Sequence, residues 1–313
     1  MTTTSSNAPH NILLGVSLII ATAFTISLQD VVFKLFSSQM TLWQIFALRG
    51  CIAVPVLMGL VWFSHRDARA LRAAFGLWSL LRAVFITGTF LAFYAAIPFL
   101  SLSTVGAANY TAPIFIALLS AYVIKERIGT LGWLCVILGF AGVLLLLQPG
   151  TEAFSPWAML PLFGACCYAA AHLITRAKCQ HVPVAALSLA QNFMMLTAGL
   201  VISMALVIVQ PTSPTAEAFP YLFGTWSAIE TSDWLVLTLL AAFAIALGMM
   251  LAGAYKAAPP AVVGTFEYSY LVFVAGWDIL FFGIALNGAT LGGMAMIVVA
   301  GAMVLRSRVA DAP

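Results

Sequence analysis

Long apolar runs, broken by short polar stretches, fill most of the chain. The runs lie at 12–33, 42–63, 77–99, 103–124, 131–148, 157–177, 184–209, 234–256, 260–282 and 287–305. Each is near the ~20 residues an α-helix needs to cross a bilayer core. They are far longer than the alternating segments of a membrane β-barrel. In lipid every backbone polar group must find a partner, and a helix satisfies its own. The pattern predicts an all-α polytopic membrane protein of about ten transmembrane helices. Ala21-Thr22-Ala23 resembles a cleavage site, but residues 1–11 carry no Lys or Arg and the apolar run continues past it. That favours a polar tail and a first span from residue 12 over a signal peptide.

The charges between the runs sort by side. Arg66, Arg69 and Arg72 follow the second span, Lys125 and Arg127 the fourth, and Arg176 and Lys178 the sixth. Lys256 follows the eighth, and Arg306 and Arg308 the tenth. Ten of the 13 basic residues thus share one face of the membrane. The other face holds Lys34 with the acids Glu152, Glu217, Glu230 and Asp233. Basic loops stay in the cytoplasm, so the tails 1–11 and 306–313 are expected there. The expected location is the plasma membrane, the inner membrane in a bacterium. The longest outer connection, 210–233, holds Pro211, Pro214, Pro220, Tyr221, Phe223 and Trp226. It reads as a slack connector, with a partial lid as the alternative.

A repeat is visible beneath the spans. Ala107-Ala108-Asn109-Tyr110-Thr111 aligns with Thr265-Phe266-Glu267-Tyr268-Ser269 at an offset of 158, each after Val-Gly. Gly142-Val143-Leu144 echoes Gly301-Ala302-Met303 at an offset of 159. An offset of 142 pairs Asp30 with His172, Lys34 with Arg176 and Arg49 with Gln191. The first copy is expected over 12–150 and the second over 157–305. Five spans per copy is an odd number, so the copies insert in opposite orientations. Inverted repeats of this kind build secondary transporters, with the solute site where the copies meet.

Only 7% of the chain is charged, against about 25% in soluble domains. Polar groups inside spans are costly, so each invites a reason. Span nine carries Glu267 and Asp278. At about 100° per residue along one continuous helix they share a face. Glu267 aligns with Asn109 and reads as a solute-cation or proton site, or as a partner for Arg82. Asp30, Lys34, Arg49 and Asp278 lie toward the outer side and read as an ion-pair gate, with interfacial snorkelling as the alternative. Asp30 and Lys34 are spaced to pair along one helix turn. Arg82 either lines the cavity or reaches the inner interface. His172, which replaces Asp30 in the second copy, is a proton relay or a hydrogen-bonded packing residue. Tyr94, Tyr110, Tyr268, Tyr270 and Trp277 could form a box for a cationic or planar solute, or simply pack.

The stretch Phe93 to Gly150 then becomes informative as a whole. It combines Phe93-Tyr94-Ala95, a small-polar helix with Pro113, Glu126-Arg127 at that helix's end, and Gly139-Phe140-Ala141-Gly142-Val143 before Pro149-Gly150. In this it resembles EamA-type proteins of the drug/metabolite transporter superfamily. The resemblance implies ten spans, a five-plus-five inverted repeat and a central cavity opening alternately to each side. It implies small-molecule solutes such as amino acids, nucleotide-like metabolites, vitamins, cationic drugs or sugars. The second copy departs from the pattern. Gly283 is followed by Ile284 where the family has Gly-Glu, so Glu126 has no acidic counterpart.

Other classes fit less well. No Gly-x-Ser-x-Gly elbow and no phosphate-binding loop occurs. His10, His65, His172 and His181 are scattered, and Cys51, Cys135, Cys166, Cys167 and Cys179 lack metal-ligand spacing. No metal or cofactor is therefore expected. A scaffold or receptor would explain the spans but not the charges within them. The expectation is a non-enzymatic secondary transporter of a small metabolite, with a cationic or aromatic part favoured and protons as candidate coupling ion. The partners are the solute and the lipid bilayer, with no nucleic acid; the chain is a monomer or a homodimer.

Overall fold

The computed structural model describes residues 11–36, 40–66, 68–96, 98–100, 102–125, 128–148, 155–211, 213–282 and 288–310. Among them all regular structure is helical. The first half holds α1 (Ile12–Phe36), α2 (Leu42–His65), the short α3 (Ala68–Ala74) and α4 (Leu77–Ala96). It continues with α5 (Leu102–Asn109), α6 (Ala112–Leu119) and α7 (Thr130–Leu147). The second half holds α8 (Met159–Lys178), α9 (Val184–Val209), α10 (Pro214–Ala218), α11 (Pro220–Phe223) and α12 (Thr231–Ala257). It ends with α13 (Pro260–Glu267), α14 (Ser269–Phe282) and α15 (Gly288–Ala310).

Among the described residues, α1, α2, α4, α8, α9 and α12 are each long and apolar enough to cross a membrane. The chain is an all-α polytopic membrane protein, and its apolar helices follow the expected order. Phe63, Ile208, Leu235 and Leu280 stand exposed on its outside, as suits side chains that face lipid rather than water. The interior is built from small residues. Gly142 of α7 shows the reason: a Cβ there would come within 2.8 Å of the Gly293 carbonyl oxygen on α15. Only a bare backbone allows that approach.

Much of the helix packing is repeated when the halves are exchanged. The pair α4 with α8 is answered by α1 with α12, and α4 with α9 by α12 with α2. The contact of α8 with α5 and α6 is answered by that of α1 with α13 and α14. The pairs α2 with α9 and α7 with α15 stand on the exchange axis, whereas α6 with α13 and α12 with α9 are not matched by comparably close pairs on exchange.

Two connections differ from expectation. Residues after α2 form the surface helix α3, which buries Ala70 and Ala74 and leaves Arg69 and Arg72 exposed. The outer segment 210–233 is docked, not slack. Trp43 Nε1 donates to the Leu222 carbonyl at 2.7 Å, and Gln44 Nε2 to the Ser227 carbonyl at 2.9 Å. Ser227 N donates back to Gln44 Oε1 at 3.1 Å, and Trp226 Nε1 donates to Ser203 Oγ at 2.8 Å. Leu222 is buried among Leu42, Trp43 and Phe46. The aromatic residues read as loop content are the anchors of this cap. Glu230 and Asp233, read as outer acids, form a capping box that starts α12 by satisfying its free N–H groups.

Candidate functional site

Spans four and nine are interrupted, and at aligned positions. The first break follows Asn109, at Tyr110 and Thr111, and the second follows Glu267, at Tyr268. Thr111 Oγ1 donates to the Ala108 carbonyl at 2.6 Å, and Ser269 Oγ to the Phe266 carbonyl at 2.7 Å. These bonds stand at equivalent positions in the two halves. A hydroxyl that takes a backbone acceptor offers the chain an alternative to the helical ladder. Pro113, early in α6, adds to this in the first half, because it lacks an N–H. The expectation of one continuous helix over 260–282 is corrected accordingly. The shared-face argument for Glu267 and Asp278 does not run through a break. The side chains of Asp278 and Lys34 lie outside the described residues, as do Glu126 and Arg127.

Glu267 ends α13 and points between helices of the second half. Tyr168 of α8 and Tyr255 of α12 both donate to its Oε1, each at 2.7 Å. Glu267 and Tyr168 keep some accessible surface, whereas Tyr255 is fully buried. His172 lies between the two phenols. Its ring stacks on Tyr255 with centroids 3.9 Å apart and meets Tyr168 edge-on at 4.2 Å. Both imidazole nitrogens are buried without a hydrogen-bond partner among the described residues. The hydrogen-bonded packing role expected for His172 is therefore corrected: it packs through its ring faces.

Arg82 of α4 is fully buried. Its Nε donates to Thr175 Oγ1 at 2.8 Å, and its Nη1 to the Leu187 carbonyl at 3.3 Å and to Gln191 Oε1 at 3.5 Å. It neither reaches the interface nor bonds Glu267. Instead it ties α4 to α8 and α9. Below it, in the turn after α8, burial pushes the Cys179 thiol up against the opposite pull of Arg82 and Lys256.

A second polar group lies toward the outer cap. Tyr270 of α14 donates to Asp30 Oδ2 of α1 at 2.6 Å, and Tyr110 stacks on Tyr270 at 6.1 Å. The described partner of Asp30 is thus a phenol from the other half. Arg49 rests over the Phe46 ring at 4.5 Å, within electrostatic reach of Tyr94 and Tyr221. Burial pushes the Tyr221 phenol up, with Tyr94 adding to the effect and Arg49 opposing it. Tyr94 also packs edge-on against Phe46 at 6.0 Å. Asp30, Tyr94, Tyr110 and Tyr270 all retain accessible surface.

Of the expected aromatic box, Tyr110 lies against both Tyr270 and Tyr268, with centroids 6.1 and 6.2 Å apart, whereas Trp277 is engaged elsewhere. Tyr268 is fully buried with Val143, Leu271 and Ile297. Its ring lies on Gly139 of α7, where a Cβ would come within 2.6 Å of it. Trp277 donates to Ser27 Oγ at 2.9 Å and packs on Phe24 at 5.5 Å, pinning α14 to α1. Asn109 Oδ1 is buried without a partner among the described residues. A mainly apolar cavity of about 260 Å³ is lined by Ile20, Thr265, Phe266, Ser269, Phe273 and Ile297. Tyr168, Tyr255, Thr175 and Gln191 were not among the expected site residues. Tyr168, His172 and Thr175 fall at i, i+4 and i+7, one face of a helix, and that stripe was the available signal.

Residues 13–148 match the EamA-like transporter family. Over that stretch the chain is similar to EamA-like transporters. The matched stretch runs from α1 through α7 and includes the first helix break and Arg82. The chain is also 30% identical, over 200 residues, to a riboflavin transporter of Rhizobium johnstonii. That alignment covers 63% of this chain and 59% of the relative, so the chain spans less than two thirds of the relative's length. A solved crystal structure superposes with a TM-score of 0.73 over 95% of this chain and 98% of its own, at 18% identity. That likeness shows a shared fold.

Proposed function

We propose that the chain is a secondary transporter that moves a small organic metabolite across the plasma membrane by alternating access. The solute passes between two inverted five-helix copies, 12–150 and 157–305. Both tails lie in the cytoplasm, by the sorting of basic loops. The observation that carries the reading is Glu267: a carboxylate at a helix break within a span, clamped on one oxygen and still accessible. Carboxylates are kept inside membranes where a solute or proton path needs them. Asp30, Tyr270 and Tyr110 continue the accessible polar line toward the outer cap. The name of the Rhizobium relative favours a planar heteroaromatic solute, which phenols such as Tyr110 and Tyr270 suit. Protons couple to transport through Glu267.

A thermal-shift screen of metabolite classes on the purified protein, followed by flux in proteoliposomes, tests this. A ligand at 100 times its Kd stabilises by about 2.7 kcal/mol, enough to shift the melting point visibly. The expected result is solute-specific flux of a stabilising compound, varying between about pH 5 and 8. Stabilising compounds that never cross the membrane would overturn the transport reading. A flux flat with pH would remove the coupling alone.

A further inference from the structure

The second-half site contains a group that transport does not by itself explain. His172 is fully buried and stands one helical turn from Thr175, the residue that holds Arg82. A buried imidazole ordinarily donates from one nitrogen and accepts at the other, since leaving them unpaired is costly. Neither His172 nitrogen has a partner among the described residues. Its ring contacts are close, at 3.9 Å to Tyr255 and 4.2 Å to Tyr168. Those two phenols come from different helices, α8 and α12, yet their hydroxyls converge on a single oxygen, Glu267 Oε1. No bond from the described residues is recorded to Oε2.

We infer that His172 is a positioning residue: its ring, wedged between Tyr168 and Tyr255, holds both hydroxyls on Glu267 Oε1 and leaves Oε2 open to an N–H donor of the solute. Without the wedge the phenols can close on each other, and two hydroxyls can no longer meet one oxygen from two sides. The same oxygen cannot then be reserved, and the carboxylate turns. A cationic amine or a ring N–H matches Oε2, because a charge-assisted N–H bond to a carboxylate is short and strong. The role belongs to the ring's thickness and not to its nitrogens. The solute half of this inference rests on the transport reading above; the wedge half does not.

Infrared difference spectroscopy on the reconstituted protein separates the two. The protonated-carboxyl band lost in Glu267→Gln identifies Glu267. In His172→Ala that band is expected at higher wavenumber than in wild type, as phenol donors are lost. In His172→Phe, which keeps a flat ring, it is expected at the wild-type position. Tyr255→Phe, which removes one hydroxyl and keeps its ring, should move the band the same way as His172→Ala. It serves as the second variant if the alanine variant does not fold. A band unmoved in His172→Ala overturns the wedge whatever Tyr255→Phe does, and so does a phenylalanine variant displaced as far as the alanine one. For the solute half, flux of an amine-bearing compound should show a KM raised about tenfold in His172→Ala and little changed in His172→Phe. Equal KM values in all three proteins would remove the Oε2 assignment while leaving transport in place. Absence of flux in wild type would remove transport and the Oε2 assignment, and the infrared result on the wedge would stand.

Discussion

The break after Asn109 and the break after Glu267 are the same backbone device with different chemistry. Each interrupts an apolar span, and each is marked by a hydroxyl bonded to the carbonyl three residues back. One then presents an amide whose oxygen lacks a described partner, the other a carboxylate held by two phenols. The surrounding helices pack in much the same pattern around both. Similar backbone breaks set where a polar group can stand, and single side chains decide which group stands there.

The largest expected effect follows from that asymmetry. Glu267→Gln should lower solute flux in proteoliposomes at least tenfold, about 1.4 kcal/mol or more of lost stabilisation. Asn109→Ala should change it less than about threefold on the same scale. Equal losses would mean the two breaks do the same work. A stability effect comes next. At Gly142 a Cβ would meet a backbone oxygen of Gly293 at 2.8 Å, whereas at the aligned Gly301 it would meet the Phe266 ring at 3.1 Å. A backbone atom cannot turn aside as a ring can. Gly142→Ala should therefore cost about 1–3 kcal/mol and lower the melting temperature more than Gly301→Ala.

The docked outer segment is longer than α3, which holds the corresponding place between α2 and α4, and Gln44 makes three of its bonds to Ser227. Gln44→Ala should cost about 1 kcal/mol and speed protease cleavage within 211–230, with little effect on helix content. The smallest effect is at the breaks themselves. Thr111→Val and Ser269→Ala should each change stability by about 0.5–1.5 kcal/mol, and by similar amounts. A large difference in the melting temperatures of the two variants would show that the breaks are not equivalent even in backbone.

The spans were legible because lipid demands unbroken apolar length. Asn109-Tyr110-Thr111 and Glu267-Tyr268-Ser269 align in the sequence, and both sit at helix breaks. The breaks themselves were not legible, since Tyr268 and Tyr110 are ordinary residues in an apolar run and the deciding bonds are to backbone. Glu267 was visible as a charge in oil. Its partners Tyr168 and Tyr255 were not, because a tyrosine in a membrane helix packs more often than it binds. Tyr268 and Trp277 misled for the same reason: aromatic content does not say which way a ring faces. The outer cap was misread because Pro and aromatic residues suit a loose connector and a docked one equally.

The account depends most on water and solute reaching Glu267 from one side of the membrane or the other. Glu267→Cys in a variant lacking the five native cysteines, treated with a membrane-impermeant maleimide from each face in turn, measures this directly. Maleimides attack the thiolate, which forms in water and not in lipid, so Val298→Cys, on the exposed apolar surface of α15, is the unreactive control. The account predicts labelling of the cysteine at 267 from at least one face, and slower labelling when a transported solute is present. A thiol at 267 as inert as the one at 298 from both faces would contradict it.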